Sequence, residues 1–310
     1  MSALLFTTKL LNQQYYFFRE NTGPLLQNVI QFSFGSLRYH GGFEIQNKFL
    51  LLSSFFFFFF FSLLFSASSS PTAPSLRVVS TVSTGVDHVD LEAMKEYRVR
   101  LGYTPDVNVE AVAELTVALL IATSRRIVQG TAAVKNGEYR SNSDYPWLSG
   151  QGLHDSTVGI VGYVLYNNRL ISTGAEIGAE LTDLDTLLQS SDFVVLTLAL
   201  TPETKCIISR EKIALMKENA ILVNTGRGGI VDQDALLKAL QQNKILGAGL
   251  DVTTPEPLPV DHPLQRLENC VLLPHMGWAS LKAKRDMFHL AVKNVIAVLN
   301  GTPMPAEYAL

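Results

Sequence analysis

From Thr157 onward the chain alternates short apolar runs with helix-patterned segments, and this alternation limits the possible folds more than any other feature. VGIVG (158–162), DFVVLTLAL (192–200), AILVN (220–224), LGAGLDV (246–252) and CVLLPH (270–275) are near-continuous apolar runs with Gly, Pro or polar residues at their ends. Strands that are apolar on both faces belong in a parallel sheet covered by helices on both sides. REKIALMKEN (210–219) and DQDALLKALQQNK (232–244) supply helices between them, the second with Asp232 as its N-cap. Repeating βα units predict an α/β fold built on a doubly wound parallel sheet.

Three of the runs end next to a chemically useful residue: Arg227 after AILVN, Glu256 after LGAGLDV and His275 after CVLLP. Open parallel sheets hold ligands just beyond the carboxyl ends of their strands. A cation, a carboxylate and an imidazole placed there could hold an anionic carbonyl compound and give it a proton. Each alone has a plainer reading: Arg227 as a loop cap, Glu256 as a solvated turn residue between prolines, His275 as a satisfied polar group.

Upstream, LRVVSTVSTGVDHVDL (76–91) reads as strand, turn and helix start, with Asp90 as N-cap, and a short helix and second strand follow before Pro105. Residues 108–127 read as a long helix, apolar around much of its circumference and therefore expected to be buried. A loop-rich stretch then carries Trp147. A last long helix covers 279–301 and is closed by Gly301.

The 310 residues are enough for two domains, and the formal net charge of −3 with no basic stripe argues against nucleic acid as a partner. Cys206 and Cys270 lack metal-ligand spacing and form no disulfide framework, which fits a reducing, cytoplasmic setting.

Residues 1–75 match nothing that follows. Phe49 to Ser66 contains only Phe, Leu and Ser, with seven consecutive Phe at Phe55–Phe61. Those three residues are largely what pyrimidine-rich codons encode, so the leading reading is a translated non-coding tract. The rivals are a membrane anchor, since about 18 apolar residues can cross a bilayer, and a low-complexity segment.

VGIVG at 158–162 begins as a dinucleotide-binding βα turn does, but Gly162 is followed by YVLYN, so only the first glycine of a G-x-G-x-x-G fingerprint is present. The other motifs carry more weight. STVSTGVDHVDL, GYTPDVNVEAVAELTVALLIATSRR, STVGIVG, NTGRGGIVDQDALLKAL, GAGLDVTTPEPLPVDHPL and NCVLLPHMGWAS occur in that order. Together they resemble the D-isomer-specific 2-hydroxyacid dehydrogenases across roughly residues 76–310. LDVTTPEPLP and the tail GTPMPAEYAL resemble the branch that reduces glyoxylate and hydroxypyruvate.

The resemblance implies a Rossmann-like cofactor domain inserted into a substrate domain that is truncated here: 76–106 and 279–310 as substrate-domain remnants, and 107–278 as the NAD(P)-binding domain. It implies reduction of a small 2-oxo acid by NADPH, with NADH as the alternative, in a cytoplasmic homodimer. Arg227 would bind the substrate carboxylate, His275 would protonate the carbonyl oxygen, and Glu256 would orient the imidazole and favour its charged form. Gly162, Thr225, Asp251 and Gly277 would lie against the cofactor, with Asp251 meeting the nicotinamide carboxamide. Ser83 and Gly85 would sit on the substrate loop. Trp147 would reach the neighbouring subunit's site.

The chain also departs from the family. Only 30 residues, Tyr163–Asp192, join the first cofactor-domain strand to the next one recognised, where a single βαβ crossover already needs ~30 or more. The phosphate-facing helix and the strand ending at the adenosine ribose have no counterpart here. This leaves a deletion near 163–175 and implies a weak hold on the cofactor. An inactive isoform and a membrane-anchored variant through 49–66 are the alternatives that follow.

Overall fold

The computed structural model describes residues 76–139, 146–162 and 181–310, together with the backbone of Leu51–Ser53. The chain divides into two compact units. Asp106–Asp286 form one, and the chain up to Pro105 with Met287–Leu310 forms the other. The resemblance implies divisions at 106 and 278.

The Asp106–Asp286 unit is built on five parallel strands in sequence order: β4 (Val158–Val161), β5 (Phe193–Leu196), β6 (Ile221–Asn224), β7 (Gly247–Leu250) and β8 (Cys270–Leu272). Successive strand residues point to opposite faces. On one face Val194, Leu196, Leu222 and Leu250 join a core with Leu188, Ile213, Leu236 and Leu240. These last four come from helices α4 (Leu184–Ser190), α5 (Arg210–Leu215) and α6 (Gln233–Gln241). On the other face Phe193, Val195, Ile221, Val223 and Val271 pack with Leu119 and Leu120 of α2 (Val109–Ser124). Each fully buried Leu, Ile or Phe contributes about 1.5–3 kcal/mol, so a sheet apolar on both faces is stable only with both faces covered. The glycines of β7 have a packing reason: a Cβ on Gly249 would lie 2.7 Å from Thr123 Oγ1 and 2.9 Å from Leu119 Cγ, so α2 could not approach as it does.

Helix α2 departs from expectation. It is not buried around its circumference: Leu119 and Leu120 are buried, while Val109 and Val117 are more than half exposed. One side meets the sheet, and the apolar residues elsewhere on the helix gain no layer from it. The helical pattern also does not end at Ile127. Arg126 turns left-handed at φ +51, and α3 (Ile127–Lys135) begins immediately after it. A 3-10 turn, Pro146–Leu148, carries Trp147.

In the other unit, β1 (Leu51–Ser53), β2 (Val78–Thr81) and β3 (Arg100–Gly102) are parallel neighbours, and α1 (Leu91–Glu96) is capped by the Asp90 carboxylate accepting from Ala93 N–H. β1 lies within the segment expected to stand apart; the rest of 1–75 falls outside the described residues. The tail adds β9 (Glu307–Tyr308), antiparallel to β3, so this sheet is mixed where parallel strands were expected. Buried Asn294 of α7 (Leu281–Leu299) anchors the returning tail: it donates to Tyr103 O and accepts from Ala306 N–H. Among the described residues no helix is long and apolar enough to cross a membrane. Most of Phe49–Ser66 lies outside them.

Candidate active site

In-register pairing sets the ends of three adjacent strands side by side. Asn224 pairs with Leu250, and Leu250 pairs with Leu272. The loops that leave them carry Arg227, Glu256 and His275.

The first loop is held by Asn224, the buried last residue of β6. Its side chain accepts from Gly226 N–H at 3.0 Å and donates to Arg227 O at 2.9 Å. Arg227 is extended at φ −141, half-buried, and donates from Nη1 to Gly226 O. Thr225 shares a 2.8 Å hydroxyl contact with Thr116 of α2. A Cβ on Gly228 would stand 2.1 Å from Thr253 O. The glycine therefore lets the Arg227 loop lie directly against the stretch that leads to Glu256.

The third loop is fixed by Asp251. This buried residue receives three consecutive backbone N–H groups: His275 on its carbonyl at 2.8 Å, Met276 on Oδ1 at 2.8 Å and Gly277 on Oδ2 at 2.9 Å. His275 sits at φ +53, a left-handed conformation that costs an L-residue roughly 1–2 kcal/mol. Charge-assisted bonds to a buried carboxylate are each worth about 1.5–3 kcal/mol and outweigh that strain. The turn aims the imidazole at Glu256. Nδ1 lies 2.6 Å from Glu256 Oε1, with the side chains 22 % and 33 % exposed. A carboxylate only accepts, so Nδ1 carries the proton and Nε2 is left as the position that can exchange one with a ligand.

Arg227, Glu256 and His275 thus stand on adjoining loops, with Thr225, Asp251 and Gly277 among them. Gly162 directly follows β4, two strands away from β6; a Cβ there would meet Thr197 Oγ1 at 2.5 Å. The stretch after it, where the phosphate-binding turn was sought, lies outside the described residues. Trp147 is 43 % exposed on its own turn. Ser83 and Gly85 belong to the other unit, on the loop after β2, where Ser83 O accepts from Thr104 N–H. Sequence patterning did not single out Asn224, although a polar residue ending a buried strand is a visible signal. The free cysteines do not join this chemistry: Cys206 is exposed, and burial pushes the Cys270 thiol up to about 12. Among the described residues no cluster of His, Cys, Asp or Glu could hold a metal ion.

Residues 163–277 match the family described as "D-isomer specific 2-hydroxyacid dehydrogenase, NAD binding domain". The human protein named glyoxylate reductase/hydroxypyruvate reductase is 42 % identical over 256 residues, covering 76 % of this chain and 78 % of its own. Glyoxylate/hydroxypyruvate reductase B of Pectobacterium carotovorum is 45 % identical over 249 residues, covering 74 % and 78 %. Among solved structures, a Thermus thermophilus protein superposes with a TM-score of 0.68 at 40 % identity, over 76 % of this chain and 80 % of that one. An NADPH-dependent glyoxylate/hydroxypyruvate reductase from Sinorhizobium meliloti, solved with NADP and malonate, gives 0.67 at 28 % identity, over 76 % and 79 %.

Proposed function

The chain belongs to the D-isomer-specific 2-hydroxyacid dehydrogenases, and from that membership we propose that it reduces glyoxylate and hydroxypyruvate to glycolate and D-glycerate, with NADPH preferred to NADH. The observation that carries this reading is the 2.6 Å His275–Glu256 pair on the loop beside Arg227. The names of the human, Pectobacterium and Sinorhizobium relatives support the substrates, and the last supports NADPH.

The described residues fit the nicotinamide end of such a cofactor. Buried Asp251 turns a carboxylate toward the His275 loop, Thr225 offers a hydroxyl, and Gly277 presents no side chain. Bound there, a reduced nicotinamide supplies hydride to the carbonyl carbon. The protein's own groups do the rest. Arg227 takes the substrate carboxylate, for which a planar guanidinium offers a matched fork. His275 delivers a proton from Nε2 to the carbonyl oxygen as negative charge develops there. Glu256 holds the proton on Nδ1 and keeps the ring in place, so that Nε2 faces the substrate.

The pyrophosphate end is where we expect this chain to differ. The match to the human relative runs over 256 residues yet takes up only 76 % of 310, so the relative has residues in that span that this chain lacks. Loss near 163–175 predicts a higher KM for NADPH than in full-length relatives. A cytoplasmic homodimer completes the proposal. Val109, Val117, Ile127, Val128 and Val134 expose apolar side chains on α2 and α3, the kind of surface that a second copy covers, and Trp147 would reach across to the partner's site.

The test is glyoxylate reduction followed by NADPH absorbance on the full chain. His275→Ala should lower kcat by ~10²–10⁴-fold, the usual worth of a general acid. Arg227→Lys should chiefly raise the KM for glyoxylate, since an ammonium cannot make the two-pronged contact. Undiminished turnover in His275→Ala would remove the imidazole from this role.

A further inference from the structure

The loop that carries Glu256 has little of its own to hold it. Its sequence is TTPEPLP, and Pro255, Pro257 and Pro259 have no N–H to donate. Thr253 Oγ1 donates to Pro255 O at 3.0 Å, a tie internal to the loop. At its far end Pro259 O accepts from His262 N–H and Gln265 Nε2; on the side that leads into Glu256 the tie to the rest of the fold comes from Gln233, the first residue of α6. Its amide oxygen accepts from Thr254 N–H at 2.9 Å, and its Nε2 donates to Thr254 O at 2.5 Å. A side-chain amide here pairs with both polar groups of one peptide residue, as a neighbouring strand would. Two residues further on, Glu256 meets His275. Gln233 is itself anchored, because the preceding Asp232 caps α6 by accepting from Ala235 N–H at 2.9 Å.

We propose that Gln233 is a positioning residue for the Glu256–His275 pair, fixing the Thr254–Glu256 backbone to the N-terminus of α6 so that the carboxylate meets Nδ1. The inference rests on the reading of His275 as proton donor. The geometry favours this role over plain helix structure. Gln233 points its two amide atoms at the loop rather than at its own helix, and the capping work is already done by Asp232. Asp251 fixes the turn that carries His275, and Gln233 fixes the loop that carries its carboxylate. The two partners of one 2.6 Å contact therefore have separate anchors.

The distinguishing measurement is the tautomer of His275, read from ring 15N chemical shifts on the full chain and assigned with His275→Asn. A carboxylate on Nδ1 holds the proton there. Glu256→Ala supplies the reference for an unpaired ring. Gln233→Met keeps the length of the side chain and removes both hydrogen bonds. It should move the tautomer ratio at least halfway toward the Glu256→Ala value, while the circular dichroism of the helices is unchanged. Gln233→Glu keeps the acceptor for Thr254 N–H and loses the donor, and it should move the ratio in the same direction by less. In turnover, Gln233→Met should lose kcat several-fold with the KM for glyoxylate unchanged. If Gln233→Met and Gln233→Glu both superpose on the parent spectrum while Glu256→Ala differs, the proposal is overturned and the proton-donor reading stands. If Glu256→Ala also matches the parent, the pair itself does not exist in solution, and both readings fall.

Discussion

At His275 the backbone occupies a region that residues with side chains avoid, and Asp251 is what keeps it there. Both carboxylate oxygens face N–H donors, so an amide in that place must turn its NH2 toward one of them. Asp251→Asn should therefore lose about 1.5–3 kcal/mol of stability, the range for a hydrogen bond to a charged group, and should lower kcat because the imidazole loses its aim. Thermal unfolding and glyoxylate turnover read the two effects, and an unchanged melting temperature would show that the turn holds itself. At this scale the sequence was partly legible. Arg227, Glu256 and His275 could be picked out because each follows an apolar run. Asp251 was assigned from family resemblance to the nicotinamide carboxamide, which left its grip on three successive backbone amides unseen. Asn224 and Gln233 act through contacts to loop backbone, and their partners lie three residues away for Asn224 and 21 away for Gln233. No periodicity encodes such contacts.

Elements were read more easily than side-chain partners, because hydrophobic period survives without knowledge of the fold. All five strands of the larger sheet fall within the apolar runs, and Asp90 and Asp232 cap the helices they were expected to cap. The misses have local causes. Helix α3 follows a left-handed Arg126 that no sequence signal announced, and β9 is two residues long. One contact between elements supports a prediction of its own. Asp192, just before β5, accepts from Thr157 N–H at 2.9 Å ahead of β4, and from Lys217 Nζ at 3.0 Å and Asn219 Nδ2 at 3.3 Å ahead of β6. The Thr157 N–H first, then the Lys217 ammonium and the Asn219 amide, hold its carboxyl below the usual carboxylate range. A carboxyl whose folded pKa is depressed stabilises the fold above its unfolded pKa of about 3.9, and that contribution fades as pH falls through the folded value. Asp192→Asn should therefore be less stable than the parent at pH 6, by about 1–3 kcal/mol. The gap should narrow progressively below about pH 4. A constant difference in thermal unfolding from pH 6 to pH 3 would mean that the charge contributes nothing.

For the molecule as a whole, the consequential position is that of β4. A doubly wound sheet normally places its first strand in the interior, with further strands on both sides. Among the described residues β4 is instead the edge of the larger sheet, paired only with β5. Val158 and Ile160 are 46 % and 57 % exposed there, and Leu181 is 79 % exposed at the start of the next described stretch. The Tyr163–Asp192 interval spans 30 residues, about what a single βαβ crossover needs. An apolar edge strand offers unpaired N–H and C=O groups to any other chain, and natural proteins suppress this with lysine or proline at such positions. Neither residue occurs in VGIV. The expected behaviour is concentration-dependent self-association through β4, separate from the dimer proposed on α2 and α3. Ile160→Lys should delay the onset of light scattering on gentle heating of the concentrated protein, while Val117→Lys on α2 should leave that onset where it is and shift the monomer–dimer equilibrium instead. If Ile160→Lys scatters as early as the parent, β4 is not the surface through which the chain associates.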